Sequence, residues 1–281
     1  MEADRALTAL LAAPKYRGVY AGAVTRVYRD MLRRHGPKGA DKAARMELHR
    51  ITGAFLTPKD LKRARGLLER AKSGDDAALF EALSLHASTR ERLPGIRQLY
   101  ERALPALGNP RSVADLACGL NPLYLGALGI HVRGIELQTD AANLVNEWAR
   151  AMGWDVAVIP GDLAEAENLS AGPELPAGPD RPVGPDRPVG PELPEADATL
   201  AMKLLPLLDR QMPGGGMALL KRVRSKRALV SFPTRTLSGR NVGMLPHYEA
   251  SFEQNLPANA IILDKFEASN ELCYILDLNR R

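Results

Sequence analysis

The sequence predicts an α/β fold in which a mostly parallel sheet, closed at one edge by an antiparallel hairpin, follows an all-helical, basic N-terminal domain. Three observations carry this. Up to about residue 104 the apolar residues recur at helical spacing, and the stretch holds 21 Lys and Arg against 12 Asp and Glu. Beyond Pro110, short apolar runs alternate with helix-length segments, the pattern of a parallel sheet covered on both faces. The last two apolar runs lie only a few residues apart, as strands of a hairpin do. A chain of 281 residues has room for two such parts at ~100–200 residues per domain, and we place the division between 104 and 105.

In the helical part, Leu7, Leu10 and Leu11 share one face, and so do Val24, Val27, Tyr28, Met31 and Leu32. Arg26, Arg29, Arg33 and Arg34 fall between the latter, giving that helix a basic outer side, and His35-Gly36-Pro37 ends it. A helix over 41–55 follows. Thr57-Pro58 reads as an N-cap with proline in the first turn of a helix over 59–72. After the break at Ser73-Gly74 comes a helix from Ala77 toward His86, then another opened by Ser88 and Glu91 in capping-box spacing. In the α/β part, strands are expected at 112–118, 131–137, 154–159, 198–202 and 228–232, with the hairpin at 260–266 and 271–278. Helices are expected at 122–128, 140–152, 206–223 and 244–256. Residues 172–194 carry GPDRPV twice in tandem between GPELP flanks; this proline density suits only an extended surface excursion, read as a tolerated repeat expansion.

Composition excludes several classes. With 45% hydrophobic residues the chain is not disordered, and no apolar run approaches the ~20 residues of a membrane span. The N-terminus shows no signal-peptide pattern, and Cys118 and Cys273 show no disulfide or zinc spacing. A cytoplasmic, metal-free protein is expected, and nothing asks for an obligate interface, which points to a monomer. The net charge of +5 divides into +9 over residues 1–104 and −4 over the rest. This is the pattern of a nucleic-acid grip joined to another activity, or of a solvated helical surface.

The first strand runs into Asp115-Leu-Ala-Cys-Gly119, and Asn121-Pro122 then opens a helix, so backbone N–H groups face a close-approach turn. Glu136 ends the second strand at a distance along the chain suited to a ribose-binding acid, and Gly161-Asp162 follows the third. Three acids on successive strand ends suit a nucleoside with free hydroxyls and an amino edge. They repel a pyrophosphate, and no GxGxxG run is present, so the expected cofactor is S-adenosylmethionine rather than NAD. Thr89 and Arg92 are either binders of a cofactor carboxylate or a cap and a surface ion pair.

SLHASTRERLP (84–94), DLACGLNPL (115–123), KLLPLLD (203–209), SFPTRTLSGRNVGM (231–244) and NELCYIL (270–276) strongly resemble the aminoglycoside-resistance 16S ribosomal RNA methyltransferases that modify N7 of guanine 1405. The resemblance runs in order along nearly the whole chain and is poorest over 172–194. It implies a helical domain that docks on ribosomal RNA within the 30S subunit and a Rossmann-like domain that binds S-adenosylmethionine. It implies His86, Thr89 and Arg92 beside the methionine end, Ala117 and Gly119 lining the cofactor, Glu136 on the ribose, and Asp162 with Leu163 on the adenine; Asp115, from the strand-end reading, joins them in the cofactor pocket. Lys203 and Leu204 would lie between cofactor and target base, with Arg240 and Glu271 engaged in target binding or catalysis. Arg26, Arg29, Lys62, Arg63 and Arg65 are the candidates for phosphate contact.

The chemistry fits this implication. Guanine N7 carries an in-plane lone pair and no proton, so attack on a sulfonium methyl needs positioning and charge stabilisation rather than a general base. The Asn-Pro-Pro-aromatic motif of exocyclic-amine methylation is absent, and Lys203-Leu204-Leu205-Pro206 follows the fourth strand instead. N7 lies on an edge hidden in regular A-form RNA, so the base must be distorted or flipped. The alternatives are a ribosome-binding protein that retains the cofactor fold without catalysis, and a methyltransferase for another substrate.

Overall fold

The computed structural model describes residues 2–52, 56–164, 192–234 and 245–279. The helical part comprises α1 (Glu2–Ala12), α2 (Ala21–Thr52), α3 (Pro58–Lys72), α4 (Ala77–Leu83), α5 (Ala87–Arg92) and α6 (Ile96–Ala106). The α/β part then runs β1 (Ser112–Leu116), α7 (Asn121–Ala127), β2 (His131–Glu136), α8 (Thr139–Met152), β3 (Val156–Pro160), β4 (Ala198–Met202), α9 (Leu205–Gln211), α10 (Gly215–Arg222), β5 (Arg227–Pro233), α11 (Leu245–Asn255), β6 (Ile261–Ala268) and β7 (Glu271–Asp277).

The seven strands form one sheet in the order β3-β2-β1-β4-β5-β7-β6. β1 to β5 are parallel, and β7 pairs antiparallel with both β5 and β6, as the hairpin reading expects. The near-continuous apolar runs of the central strands reflect burial on two sides. On β5 and β7, Leu229, Cys273 and Ile275 join α3, α4 and α6–α8 in one apolar cluster, while Ala228, Val230, Phe232, Leu272, Tyr274 and Leu276 face α9–α11 in another. Phe252 of α11 is held there by rings of Phe232 and Tyr274 at 4.8 and 4.9 Å. α1 and α2 build a third cluster of their own around Leu10, Val24, Tyr28 and Leu48.

Local signals set several boundaries where the sequence placed them. Thr57 caps α3 in a capping box with Asp60, and Pro58 occupies the first turn. At Gly36 (φ 66°) the backbone of α2 leaves helical geometry, beside Pro37, so the expected break is a kink between two helical runs. Other boundaries differ. The expected helix over 206–223 is two, because Gly214 turns left-handed (φ 78°) between α9 and α10. α5 starts at Ala87 with His86 in the cap position, so Ser88 and Glu91 form no capping box. α4 stops at Leu83, short of His86. β1 ends at Leu116 because Ala117 turns left-handed (φ 55°), and β3 begins at Val156 because the Trp154 N–H still bonds back to the Ala149 carbonyl of α8 at 2.9 Å. The tandem repeat at 178–189 and the end of the expected 41–55 helix lie outside the described residues.

Candidate active site

All five parallel strands end at one edge of the sheet, and β7 begins there, with Glu271 opposite Pro233 at the end of β5. The order reverses between β1 and β4, so their C-terminal ends flank the crevice where open α/β sheets bind ligands. Both strands run into a non-glycine residue held in the left-handed region, Ala117 (φ 55°) and Lys203 (φ 56°). Two strained residues side by side at a switch point mark a site that the surrounding fold over-determines.

The three acids converge as the sequence reading expects. Glu136 is buried and accepts the N–H of Gly119 at 2.7 Å on one oxygen and of Gln138 at 2.9 Å on the other. A carboxylate offers about four acceptor positions, so lone pairs remain for a pair of ribose hydroxyls. Asp115 accepts from the Asn121 amide at 2.7 Å, and Asn121 in turn accepts from the Tyr100 hydroxyl at 2.7 Å. Burial pushes Asp115 up to about 7, partly countered by the Asn121 hydrogen bond and the Arg92 charge. Asp162 accepts the Ala164 N–H at 2.9 Å and the Arg26 guanidinium at 2.7 Å. Leu163 is buried beside it in the apolar cluster that also holds Leu204.

At the turn after β1, Gly119 has φ 54°, and a Cβ there would stand 2.7 Å from the His86 ring. Only glycine lets the imidazole lie against this turn. Burial, followed by the nearby Arg92, Lys203 and Arg90 charges, pushes His86 down to about 4, so it is neutral at physiological pH. Its Nδ1 is buried without a hydrogen-bond partner among the described residues, an orphan that a polar ligand group would satisfy. Thr89 is taken up locally, donating to the carbonyls of Leu83 and His86.

Arg92 forms no surface pair. Its Nε and Nη2 reach the same Glu271 oxygen at 3.0 and 2.9 Å, with side-chain exposures of 3% and 1%. The Ser231 hydroxyl donates to the other Glu271 oxygen, and Lys203 Nζ stands 3.6 Å from the first. Lys203 also reaches Glu91 at 2.9 Å. Glu271 therefore carries a compensated charge rather than one open toward a base. The sequence singles out Asn121 only as the start of a helix and Glu91 only as a capping partner, and it gives no sign of Ser231; their roles here are the bond to Asp115, the pair with Lys203 and the bond to Glu271. Arg240 lies outside the described residues.

The five candidate phosphate contacts are dispersed. Arg29 and Lys62 are exposed. Arg63 pairs with Glu81 at 3.6 Å and Arg65 with Glu147 at 3.2 Å. Arg26 does not lie on the basic outer side of α2, because its guanidinium turns in to Asp162 and to Gln211 at 2.8 Å. A cavity of about 770 Å³ bounded by Phe80, Tyr124, Leu128 and Trp154 lies apart from this site and touches it only through Tyr100. Among the described residues no helix is long and apolar enough to cross a membrane.

A switch-point crevice with acids on three successive strand ends, a glycine turn and no phosphate loop defines a Rossmann-like methyltransferase. The ribosomal RNA methyltransferase (FmrO) family model matches residues 12–154 and 188–275, and the chain belongs to that family. The stretch that the match skips contains most of the tandem repeat. A Serratia marcescens protein named 16S rRNA (guanine(1405)-N(7))-methyltransferase is 39% identical over 281 residues, covering 99% of this chain and all of that one. A Micromonospora echinospora protein of the same name is 32% identical over 97% of this chain and 96% of its own. Among solved structures, the 16S rRNA methyltransferase RmtF in complex with S-adenosyl-L-homocysteine is 45% identical, with a TM-score of 0.82 over 98% of both chains. The 16S rRNA methylase RmtB is 36% identical, with a TM-score of 0.78 over the same shares.

Proposed function

We propose that this protein transfers the methyl group of S-adenosylmethionine to N7 of guanine 1405 of 16S rRNA within the 30S subunit, giving aminoglycoside resistance. The observation that carries the reading is the chain-long likeness to relatives named for this reaction, joined to an active-site edge with the carboxylate acceptors of a nucleoside pocket. The cofactor supplies an electrophilic methyl on a sulfonium. Residues 105–281 hold its nucleoside: Glu136 at the ribose, Asp162 and Leu163 at the adenine, and Ala117 and Gly119 along it. His86, Thr89 and Arg92 lie at its methionine end, where the orphaned His86 Nδ1 gains a partner.

No side chain need take a proton from N7, so the chain's work is placement. Lys203 and Leu204 lie between cofactor and base, and Arg240, assigned by its motif, joins them on the target side. Glu271 acts by holding Arg92 and Lys203 in place. The basic residues 1–104 dock on the RNA, with exposed Arg29 and Lys62 reaching phosphate, and the protein works as a monomer in the cytoplasm. Labelled S-adenosylmethionine supplied with isolated 30S subunits tests this. Label mapped to N7 of guanine 1405 is expected. Binding to 30S without transfer would favour a non-catalytic RNA-binding protein, and label on another acceptor would assign a different substrate.

A further inference from the structure

We propose that Arg26 is a positioning residue of the cofactor site, a clamp through which the docking helix α2 sets the geometry of the pocket. The inference rests on reading Asp162 as the acid that meets the adenine. Arg26 Nε donates to Asp162 Oδ2 at 2.7 Å, and its Nη2 donates to the Gln211 side-chain oxygen at 2.8 Å. Asp162 lies in the turn after β3, and Gln211 is the last residue of α9, the helix that follows Lys203 and Leu204. β3 and β4 are separated by β2 and β1 in the sheet, so their ends stand three strand spacings apart, roughly 14 Å. Sheet hydrogen bonds cannot tie those two loops directly. One guanidinium from a helix outside the sheet does.

Other contacts make α2 a firm base for this clamp. Leu137, after β2, and Leu207, in α9, both pack on the α1–α2 cluster. The Tyr20 N–H donates to the Leu137 carbonyl at 2.8 Å. The Gln138 side chain donates to the Thr52 carbonyl at 3.2 Å and accepts the Leu56 N–H at 3.3 Å, while its own N–H holds Glu136. The α2 region thus grips the loops after β2, β3 and β4 together. Asp162 is only 6% exposed, and Arg26 and the Ala164 N–H fix its two oxygens. A carboxylate fixed in this way presents its remaining lone pairs in one direction, as recognition of an exocyclic amino group requires. The planar fork of arginine reaches two acceptors at once, which a lysine ammonium on its flexible stem does less well.

Calorimetric binding of S-adenosylhomocysteine to the full-length protein tests the clamp, with 30S affinity measured in parallel at fixed salt. Arg26→Ala is expected to weaken S-adenosylhomocysteine binding about tenfold, the scale of a charge-assisted hydrogen bond, with 30S affinity within about twofold of the parent. KM for S-adenosylmethionine should rise in step while kcat holds within about twofold. Arg26→Lys should restore part of the affinity, and Gln211→Ala, which leaves Asp162 untouched, should give a smaller loss in the same direction and serves should Arg26→Ala not fold. Adding Arg26→Ala to Asp162→Asn should cost no more than Gln211→Ala costs alone. Asp162→Asn weakening the binding while Arg26→Ala and Gln211→Ala leave it intact would overturn the clamp and spare the adenine reading. Unchanged binding in Asp162→Asn would overturn the adenine reading and the clamp with it. Loss of 30S affinity and of salt dependence in Arg26→Ala, with cofactor binding intact, would make Arg26 a phosphate contact instead.

Discussion

Replacing Glu271 with Gln keeps the side chain's shape and removes its charge. If that charge directly opposed the cationic purine, transfer would slow by roughly 10²-fold or more while stability held. The structure points elsewhere. Glu271 compensates Arg92, whose side chain is 3% exposed, and it also accepts from Ser231 and lies 3.6 Å from Lys203. Removing one partner of a buried ion pair costs about 3–5 kcal/mol, because the remaining charge cannot regain its water. Glutamine still offers Arg92 a carbonyl, so the lower end, about 3 kcal/mol, is expected. Urea denaturation at neutral pH reads this directly as a lower midpoint at unchanged slope. A companion double variant, Arg92→Met with Glu271→Leu, removes both charges and should recover much of the lost stability while remaining unable to transfer the methyl group. Glu271→Gln unfolding within about 1 kcal/mol of the parent, with single-turnover transfer slowed 10²-fold, would refute the structural reading and return the charge to the transition state.

Three further outcomes follow from the same geometry. Glu136→Ala should weaken S-adenosylhomocysteine binding by roughly 1–3 kcal/mol, since the ribose hydroxyls lose the carboxylate that the Gly119 and Gln138 N–H groups hold in place, and calorimetry showing unchanged affinity would remove Glu136 from the pocket. Asp115, with a folded pKa of about 7, keeps in the native state a proton that the unfolded chain releases near 3.8. Its contribution to stability is therefore present at acid pH and lost as pH rises through 7, so Asp115→Asn should gain stability over the parent between pH 5 and pH 8, and parallel stability curves would contradict the burial argument. Charge reversal at Arg29 and Lys62, both exposed, should weaken 30S binding and flatten its salt dependence without touching cofactor affinity; unaltered 30S binding would leave the basic helices a solvated surface.

The sequence by itself determined the kinds and order of the elements, because periodicity, caps and turn residues act over a few neighbours. The N-cap at Thr57, the break at Gly36, the strand at 198–202 and the edge hairpin are all local statements. It also placed Asp115, Glu136 and Asp162 at one sheet edge, since strand ends in a parallel sheet share a side whatever their registers. What it left undecided is which charge meets which. Arg92 and Glu271 lie 179 positions apart, Arg26 and Asp162 136, Lys203 and Glu91 112, and nothing near any of them in the chain announces its partner. Nor could it show that Ala117 and Lys203 would adopt left-handed backbone, because their local preference is against it and only the packed strands on either side impose it. Tertiary structure made those decisions by removing water. Once the sheet edge, α2 and α5 close together, each buried charge must find the nearest opposite charge that the packing supplies, and that choice turned an arginine expected on the surface toward Asp162 in the loop after β3.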